Sequence, residues 1–346
     1  MDKKLLWNIA GKSIRVLNRL KFTTQKDTGT VIRFNTAIGT DNLGDEIIMH
    51  YCGIVLDEIL PNYISYNIGT HLMPTMEQER DVKQTKYKFV CGTNLLTSQI
   101  EHHWRWILPD GIRRKLNYRN VILLGVGWGG YQGKCSDYSR MIYQAMLNPC
   151  VIHSVRDQYT MEKLRQAGIH NVINTGCPTT WALTPEFCRK IPIKKARNVI
   201  TTITDYRRDP ERDSEMLMIL SRNYENVYLW LQGQYDEEYL QTLDIPANMT
   251  TIPARLNDYE KVLEKGGIDY VGTRLHAGIH ALNYKIRSVI LAVDNRATEM
   301  GRDVNLPVIQ RSEIGERLEK MINEDFVTEI RIKQENINRY KAQFRR

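Results

Sequence analysis

No stretch of this sequence approaches the ~18 consecutive apolar residues of a membrane-spanning helix, and its longest apolar run lies around Val121–Trp128. A signal-peptide core is also missing, because Lys12 and Arg15 interrupt any apolar segment near the N-terminus. There is no C-x-x-C pair. Cys52, Cys91, Cys135, Cys150, Cys177 and Cys188 are scattered without regular spacing, which reads as reduced, mostly buried thiols in a cytosolic protein. A D-x-D element for a metal–nucleotide-sugar site, H-E-x-x-H, a P-loop and G-x-S-x-G are all absent, so no metal site is expected. Low-complexity tracts and short repeats are lacking too.

What is present is ordinary globular composition, 42% apolar and 25% charged over 346 residues, enough for about two domains with their own cores. The net charge of +8 sits at the two ends: residues 1–26 carry +6 and residues 327–346 carry +4, which leaves −2 on everything between. A nucleic-acid binder needs a folded basic face, so a near-neutral body argues against a nucleic-acid partner.

At the N-terminal end, Leu5, Leu6, Ile9, Val16, Leu17 and Leu20 fall within one helical arc of about 120°, with Lys4, Lys12, Arg15 and Arg19 on its flank. Such a helix suits either the headgroup region of an anionic membrane or packing against the body with a solvated basic flank. The C-terminal end is similar but weaker, with Ile330, Ile337, Tyr340 and Phe344 sharing a face.

From Thr30 to Val293 short apolar runs alternate with helical stretches, the pattern of an α/β protein. Two consecutive arrays predict two Rossmann-like, doubly wound domains facing a cleft, with polar motifs at the carboxyl ends of the strands. The expected divisions are a basic amphipathic helix over 1–26, a first domain over 27–188, a second over 189–310 and C-terminal helices over 311–346.

Several strand tips carry candidate chemistry. Asn42-Leu43-Gly44-Asp45 joins a strand to a helix, so its backbone N–H groups suit an anion, although Asp45 is also a normal helix-capping choice. Gly125-x-Gly127-x-x-Gly130 follows a strand but lacks the following helix and the ribose-binding acid of a dinucleotide site. It reads better as a tight loop offering Trp128 to a ligand face. Arg156 ends another strand and fits a carboxylate or phosphate, or else an ion pair with Asp157. Thr273-Arg274-Leu275-His276 brings a fixed cation and a titratable imidazole to a helix start, which suits an anionic substrate that must exchange a proton. Asp294-Asn295-Arg296 adds a second arginine at the neighbouring tip, as an anion ligand or paired with Asp294 or Glu299.

Taken in order, Asn42-x-Gly44-Asp45-Glu46, Gly92-Thr93-Asn94, Ser154-Val155-Arg156-Asp157, Gly176-Cys177-Pro178, Thr273-Arg274-Leu275-His276-Ala277-Gly278 and Asp294-Asn295-Arg296 resemble the polysaccharide pyruvyl transferase family. The resemblance implies a glycosyltransferase-B-like pair of domains and transfer of pyruvate from phosphoenolpyruvate to a sugar as a cyclic ketal, with no cofactor and no metal. The basic amphipathic ends are not part of this resemblance; they would suit an enzyme that works on a lipid-linked precursor at the inner face of the cytoplasmic membrane, with the basic ends on anionic lipid. On this reading His276 is the general acid, Arg274, Arg156 and Arg296 with Asn295 hold the donor's anionic groups, and Asp45 or Asn94 orients the acceptor. A nucleotide-sugar glycosyltransferase is the alternative.

Overall fold

Uninterrupted apolar runs such as Val121–Leu124 and Ser288–Ala292 have no polar face to present to water. In the computed structural model, which describes residues 3–102 and 105–345, they form fully buried strands of parallel sheets. The first half of the chain runs α1 (Lys3–Thr24), β1 (Thr30–Asn35), α2 (Gly44–Ile59), β2 (Ile64–Gly69), α3 (Met76–Gln84), β3 (Tyr87–Cys91), α4 (Ile112–Lys115), β4 (Val121–Leu124), α5 (Asp137–Met146), β5 (His153–Val155), α6 (Gln158–Gln166) and β6 (Val172–Asn174). It continues through α7 (Pro185–Cys188), β7 (Asn198–Thr201), α8 (Pro210–Asn223), β8 (Val227–Trp230), α9 (Asp236–Leu240), β9 (Met249–Ile252), α10 (Leu256–Lys265) and β10 (Ile268–Gly272). The last elements are α11 (Leu275–Asn283), β11 (Ser288–Ala292), α12 (Asn295–Val304), β12 (Val308–Gln310), α13 (Glu319–Asn323) and α14 (Gln334–Ala342).

The helix starts are written in side chains that accept the first free backbone N–H groups. Ser136, Asp157, Asp209 and Asp294 each cap the helix that follows, and Thr75 closes a reciprocal capping box with Gln78.

The chain divides into two compact units, one made of Met1–Thr40, Ile48–Pro178 and Lys333–Arg346, the other of Asp41–Ile47 and Thr179–Ile332. Three details differ from the expected divisions. The main boundary follows Pro178 rather than residue 188, residues 41–47 group with the second unit, and residues 333–346 return to the first.

In the first unit a four-stranded parallel sheet has the order β2-β1-β3-β4. The two-stranded β5-β6 sheet continues it through a parallel bridge between Val126 and Val155. Ile32, Phe34, Val90, Leu123, Ile142 and Met146 belong to its core. The second unit holds a six-stranded parallel sheet, β12-β11-β10-β7-β8-β9, over a core that includes Val199, Leu217, Leu229, Val271 and Val289. Strand order reverses between β7 and β10, so the ligand crevice of this sheet is expected beyond the carboxyl ends of those two strands.

The two basic ends are built differently. Ile337, Tyr340 and Phe344 are buried, with the Tyr340 hydroxyl donating to the Leu123 carbonyl at 3.0 Å and the Phe344 ring 5.4 Å from that of Phe89. In α1 the buried positions are instead Gly11, Asn18 and Phe22, while Ile9, Val16, Leu17 and Leu20 remain 53%, 63%, 58% and 59% exposed. Packing on the body therefore uses a face other than the apolar arc. The side chains of Lys4, Leu5 and Leu6, which the arc also included, lie outside the described residues. No helix among the described residues is long and apolar enough to cross a membrane.

Candidate active site

Strand β10 ends at Gly272, and Thr273-Arg274 then turn the chain into α11, with Arg274 as the residue before the first helical turn. The turn is tight: a Cβ on Gly272 would lie 2.5 Å from Thr202 Oγ1 and 2.7 Å from its backbone nitrogen. Arg274 is buried in a cage of acceptors. Its Nε donates to the Ile203 carbonyl at 2.8 Å and its Nη2 to Asp205 at 2.8 Å and Asp236 at 2.5 Å. Burial opposes the cation, but Asp236, Tyr206 and Asp205 outweigh it and raise the Arg274 pKa. Burial pushes the Asp236 carboxyl up, against the pull of Arg274 and of the Gly233 and Gln232 N–H groups. Arg274 Nη1, by contrast, is buried with no hydrogen-bond partner. Gly233 makes room for this cage, since a Cβ there would run into the guanidinium.

One strand further along, β11 leads into Asp294, which accepts from the Arg296 backbone N–H at 2.9 Å and starts α12. The Arg296 Nε donates to the Asp294 carboxylate at 2.8 Å, and its Nη2 donates to the Tyr206 hydroxyl. The Tyr206 ring thus faces two guanidinium groups, with Arg274 5.1 Å and Arg296 5.6 Å from its centroid. Burial works against the Arg296 charge, yet Tyr206 and Asp294 hold its pKa above the ordinary arginine range. Tyr206, Thr273, Arg274, His276, Asp294 and Arg296 line one pocket together with Asn42 and Gln232. The N-terminal turns of α11 and α12 contribute lining residues, and the positive ends of these two helix dipoles favour negative charge there. His276 is buried in the first turn of α11. Asn295 opens α12 beside the pocket without lining it.

Asn42 reaches this pocket because residues 41–47 are knitted into the second unit. The Asn42 side-chain oxygen accepts from the Gly44 N–H at 3.0 Å and from Gln232 Nε2 at 2.6 Å, and the Leu43 N–H donates to the Gln232 carbonyl at 3.1 Å. Gly44 has to be glycine, as a Cβ would lie 2.8 Å from Gln232 Nε2 and 3.1 Å from Asn42 Oδ1. Asn42 makes a side-chain bond at the start of α2, and Asp45 lies inside the first turn and is not among the residues lining this pocket. The motif, expected within the first domain, groups with the second unit instead.

In the first unit Arg156 follows β5 and is buried, with Nε 3.3 Å from Asp157 and Nη2 donating to the Asn94 side-chain oxygen. Its Nη1 has no partner, as in Arg274. Gly127 lies against this guanidinium, so a Cβ there would collide with it. Asn94 belongs to a strained turn in which Gly92 and Thr93 both have positive φ, 59° and 46°. Trp128 corrects another expectation. It is 1% exposed, packs 5.9 Å from Tyr143 with the Lys163 ammonium 5.6 Å over its ring, and donates Nε1–H to Gln132. It is core and offers no face to a ligand.

Four pocket or cage residues escaped the sequence reading: Asp205, Tyr206, Gln232 and Asp236. Each follows the carboxyl end of β7 or β8 by a few residues. The same strand-tip rule that selected Arg274 and Arg296 applies to Thr204-Asp205-Tyr206 and to Gln232-Gly233, where glycine marks a close approach.

A model of the polysaccharide pyruvyl transferase family matches residues 42–295, from the first pocket residue to the start of α12. Among solved structures, the UDP-GlcNAc 2-epimerase of Methanocaldococcus jannaschii, in complex with UDP-GlcNAc and UDP, shares the fold with a TM-score of 0.52 at 9% identity, covering 91% of this chain and 98% of that one. It supports the glycosyltransferase-B-like pair of Rossmann units. No curated protein matches the sequence.

Proposed function

We propose, on the premise that the chain belongs to the polysaccharide pyruvyl transferase family, that the pocket of the second unit binds phosphoenolpyruvate and that its pyruvyl group passes to a sugar of a lipid-linked polysaccharide precursor. The observation that carries this reading is the meeting of Arg296, the unpartnered Arg274 Nη1 and two helix N-terminal turns around His276. A small dianion finds matched donors there, and the alkene carbon of the same donor finds a proton source.

His276 protonates the methylene carbon, which leaves positive charge at C2, and a sugar hydroxyl adds to C2 and releases its proton. The C2–phosphate bond then breaks with departure of phosphate, and a second hydroxyl adds to C2 with loss of its proton to close the ketal ring. Phosphoenolpyruvate is the only co-substrate this scheme needs. Arg274 is held too firmly by Asp205 and Asp236 to act as a mobile clamp. Its role is to present Nη1 and to set the position of the α11 start, while Arg296 contacts the donor. The acceptor is assigned to the first unit, where Arg156 keeps a buried, unpartnered Nη1 beside Asn94.

The test is phosphate release from phosphoenolpyruvate with and without lipid-linked glycan acceptors, followed by mass analysis for a pyruvate ketal. His276→Ala should keep donor binding and lose turnover by ~10²-fold or more. Arg296→Ala should weaken donor binding by about 10-fold or more, the worth of a charge-assisted hydrogen bond. A second reading, a glycosyltransferase using a nucleotide sugar, draws on the fold shared with a protein solved with UDP-GlcNAc and UDP. It would replace the first if UDP raises the melting temperature and phosphoenolpyruvate does not.

A further inference from the structure

Helix α1 docks through residues that are small or polar. A Cβ on Gly11 would strike the Gln144 side chain of α5, so the absence of a side chain lets the two helices close up. Asn18 Nδ2 donates to the Ala145 carbonyl at 2.6 Å, the Asn18 carbonyl accepts from Asn120 at 3.2 Å, and Arg15 Nη2 donates to Asn171 at 2.5 Å. Phe22 completes the contact, its ring edge-on to Tyr87 at 6.0 Å. This attachment leaves Ile9, Val16, Leu17 and Leu20 exposed. At ~100° per residue these four fall within an arc of about 100° that Ser13 alone interrupts between Ile9 and Leu20.

The charges around the stripe have one sign. Lys12 and Arg19 are exposed on one flank, Lys21 lies on the other, and α1 contains no Asp or Glu. Lys83 and Arg119 lie near enough to Lys21 to add to the burial that lowers its pKa, which extends the positive field beyond the helix. An apolar stripe flanked by cations, on a helix too polar to span a bilayer, matches the boundary between acyl chains and anionic headgroups. A second protein chain would need acidic groups opposite Lys12 and Arg19. A second copy of this helix would set like charges against each other.

We propose that the exposed face of α1 is a membrane-docking surface for anionic phospholipid, lying in the plane of the interface. The surface belongs to the first unit and does not depend on what the pocket of the second unit binds.

The experiment is co-sedimentation of the full-length protein with vesicles of phosphatidylcholine alone and of phosphatidylcholine with phosphatidylglycerol, with no donor or acceptor present. Binding is expected only to the anionic vesicles and should weaken as salt rises. Leu17→Asp with Leu20→Asp should cut the bound fraction at least tenfold without moving the melting temperature. Lys12→Glu with Arg19→Glu should do so chiefly at low salt. Equal binding to both vesicle types, or unchanged binding by the Leu17/Leu20 variant, overturns the proposal. So does a dimer in solution that the same double substitution dissolves, because the stripe would then be covered by a second copy. Pyruvyl transfer to a soluble acceptor should survive all of these substitutions, so failure of this proposal is separable from failure of the proposed reaction.

Discussion

The N-terminal helix α1 and the C-terminal helix α14 start from the same ingredients, a basic segment with an apolar face, and end in opposite arrangements. Helix α14 turns its apolar face inward. Tyr340 and Phe344 are buried, Gln343 exchanges two hydrogen bonds with the Ile152 backbone, at 2.7 and 3.0 Å, and Lys341 and Arg345 pair with Glu58. Helix α1 turns its apolar face outward and attaches through Gly11, Arg15 and Asn18. The difference lies in the receiving surface. Around Phe89 and Leu123 the first unit presents aromatic and aliphatic groups, whereas α5 presents the Gln144 side chain and the Ala145 carbonyl. An amphipathic pattern states that a helix has two faces, and the partner decides which one is covered. Of the two helices, α1 is the one that leaves large apolar side chains exposed among the described residues, and the membrane-docking surface is proposed there.

The contrast makes graded demands on stability. Tyr340→Ala removes a buried ring and leaves the Leu123 carbonyl without its donor, so it should cost about 3–5 kcal/mol, read as a shift of the urea midpoint. Asn18→Ala should cost less, about 1–3 kcal/mol, because it deletes one buried hydrogen bond and strips the Ala145 carbonyl of its donor. Leu17→Ser should change stability by less than about 0.5 kcal/mol, as expected for an exposed site. If Leu17→Ser proves as damaging as Tyr340→Ala, the two helices are not different in kind and α1 is docked through its apolar stripe after all.

How much of this was legible in the sequence follows from burial. The apolar run that begins at Val121 marked β4, because a strand covered on both faces reads as an unbroken apolar segment. Strands β2, β9 and β12 are edge strands of their sheets and carry a weaker apolar pattern. There Ile64 and Thr251 face water, and the pattern fades with the burial that creates it. The site behaved similarly. Arg274, His276 and Arg296 were readable because each sits just beyond an unmistakable strand. Asp205 was within reach of the same strand-tip rule but was passed over, and Asp236 was not readable, since an acid six residues beyond its strand that cages an arginine from another strand leaves no mark at fixed spacing. Trp128 was misread because a tryptophan in a glycine-rich loop looks available, and only the packing of Tyr143 and Lys163 against it reveals a core residue. Asn42 was placed with the wrong unit because chain order carries no record of the hydrogen bonds that tie residues 41–47 to Gln232.

The return of residues 333–346 to the first unit has a bearing on how the protein is made. Domains generally fold as units in the order in which they leave the ribosome, and here that order is inverted. Once residue 332 has emerged, the second unit has all of its segments, while the first still lacks α14. Until then the ground beside Phe89 is uncovered and the Leu123 carbonyl waits for the Tyr340 hydroxyl. The half of the molecule synthesised first therefore cannot close its core until residues 333–346 are free to dock, whereas the second unit needs none of them.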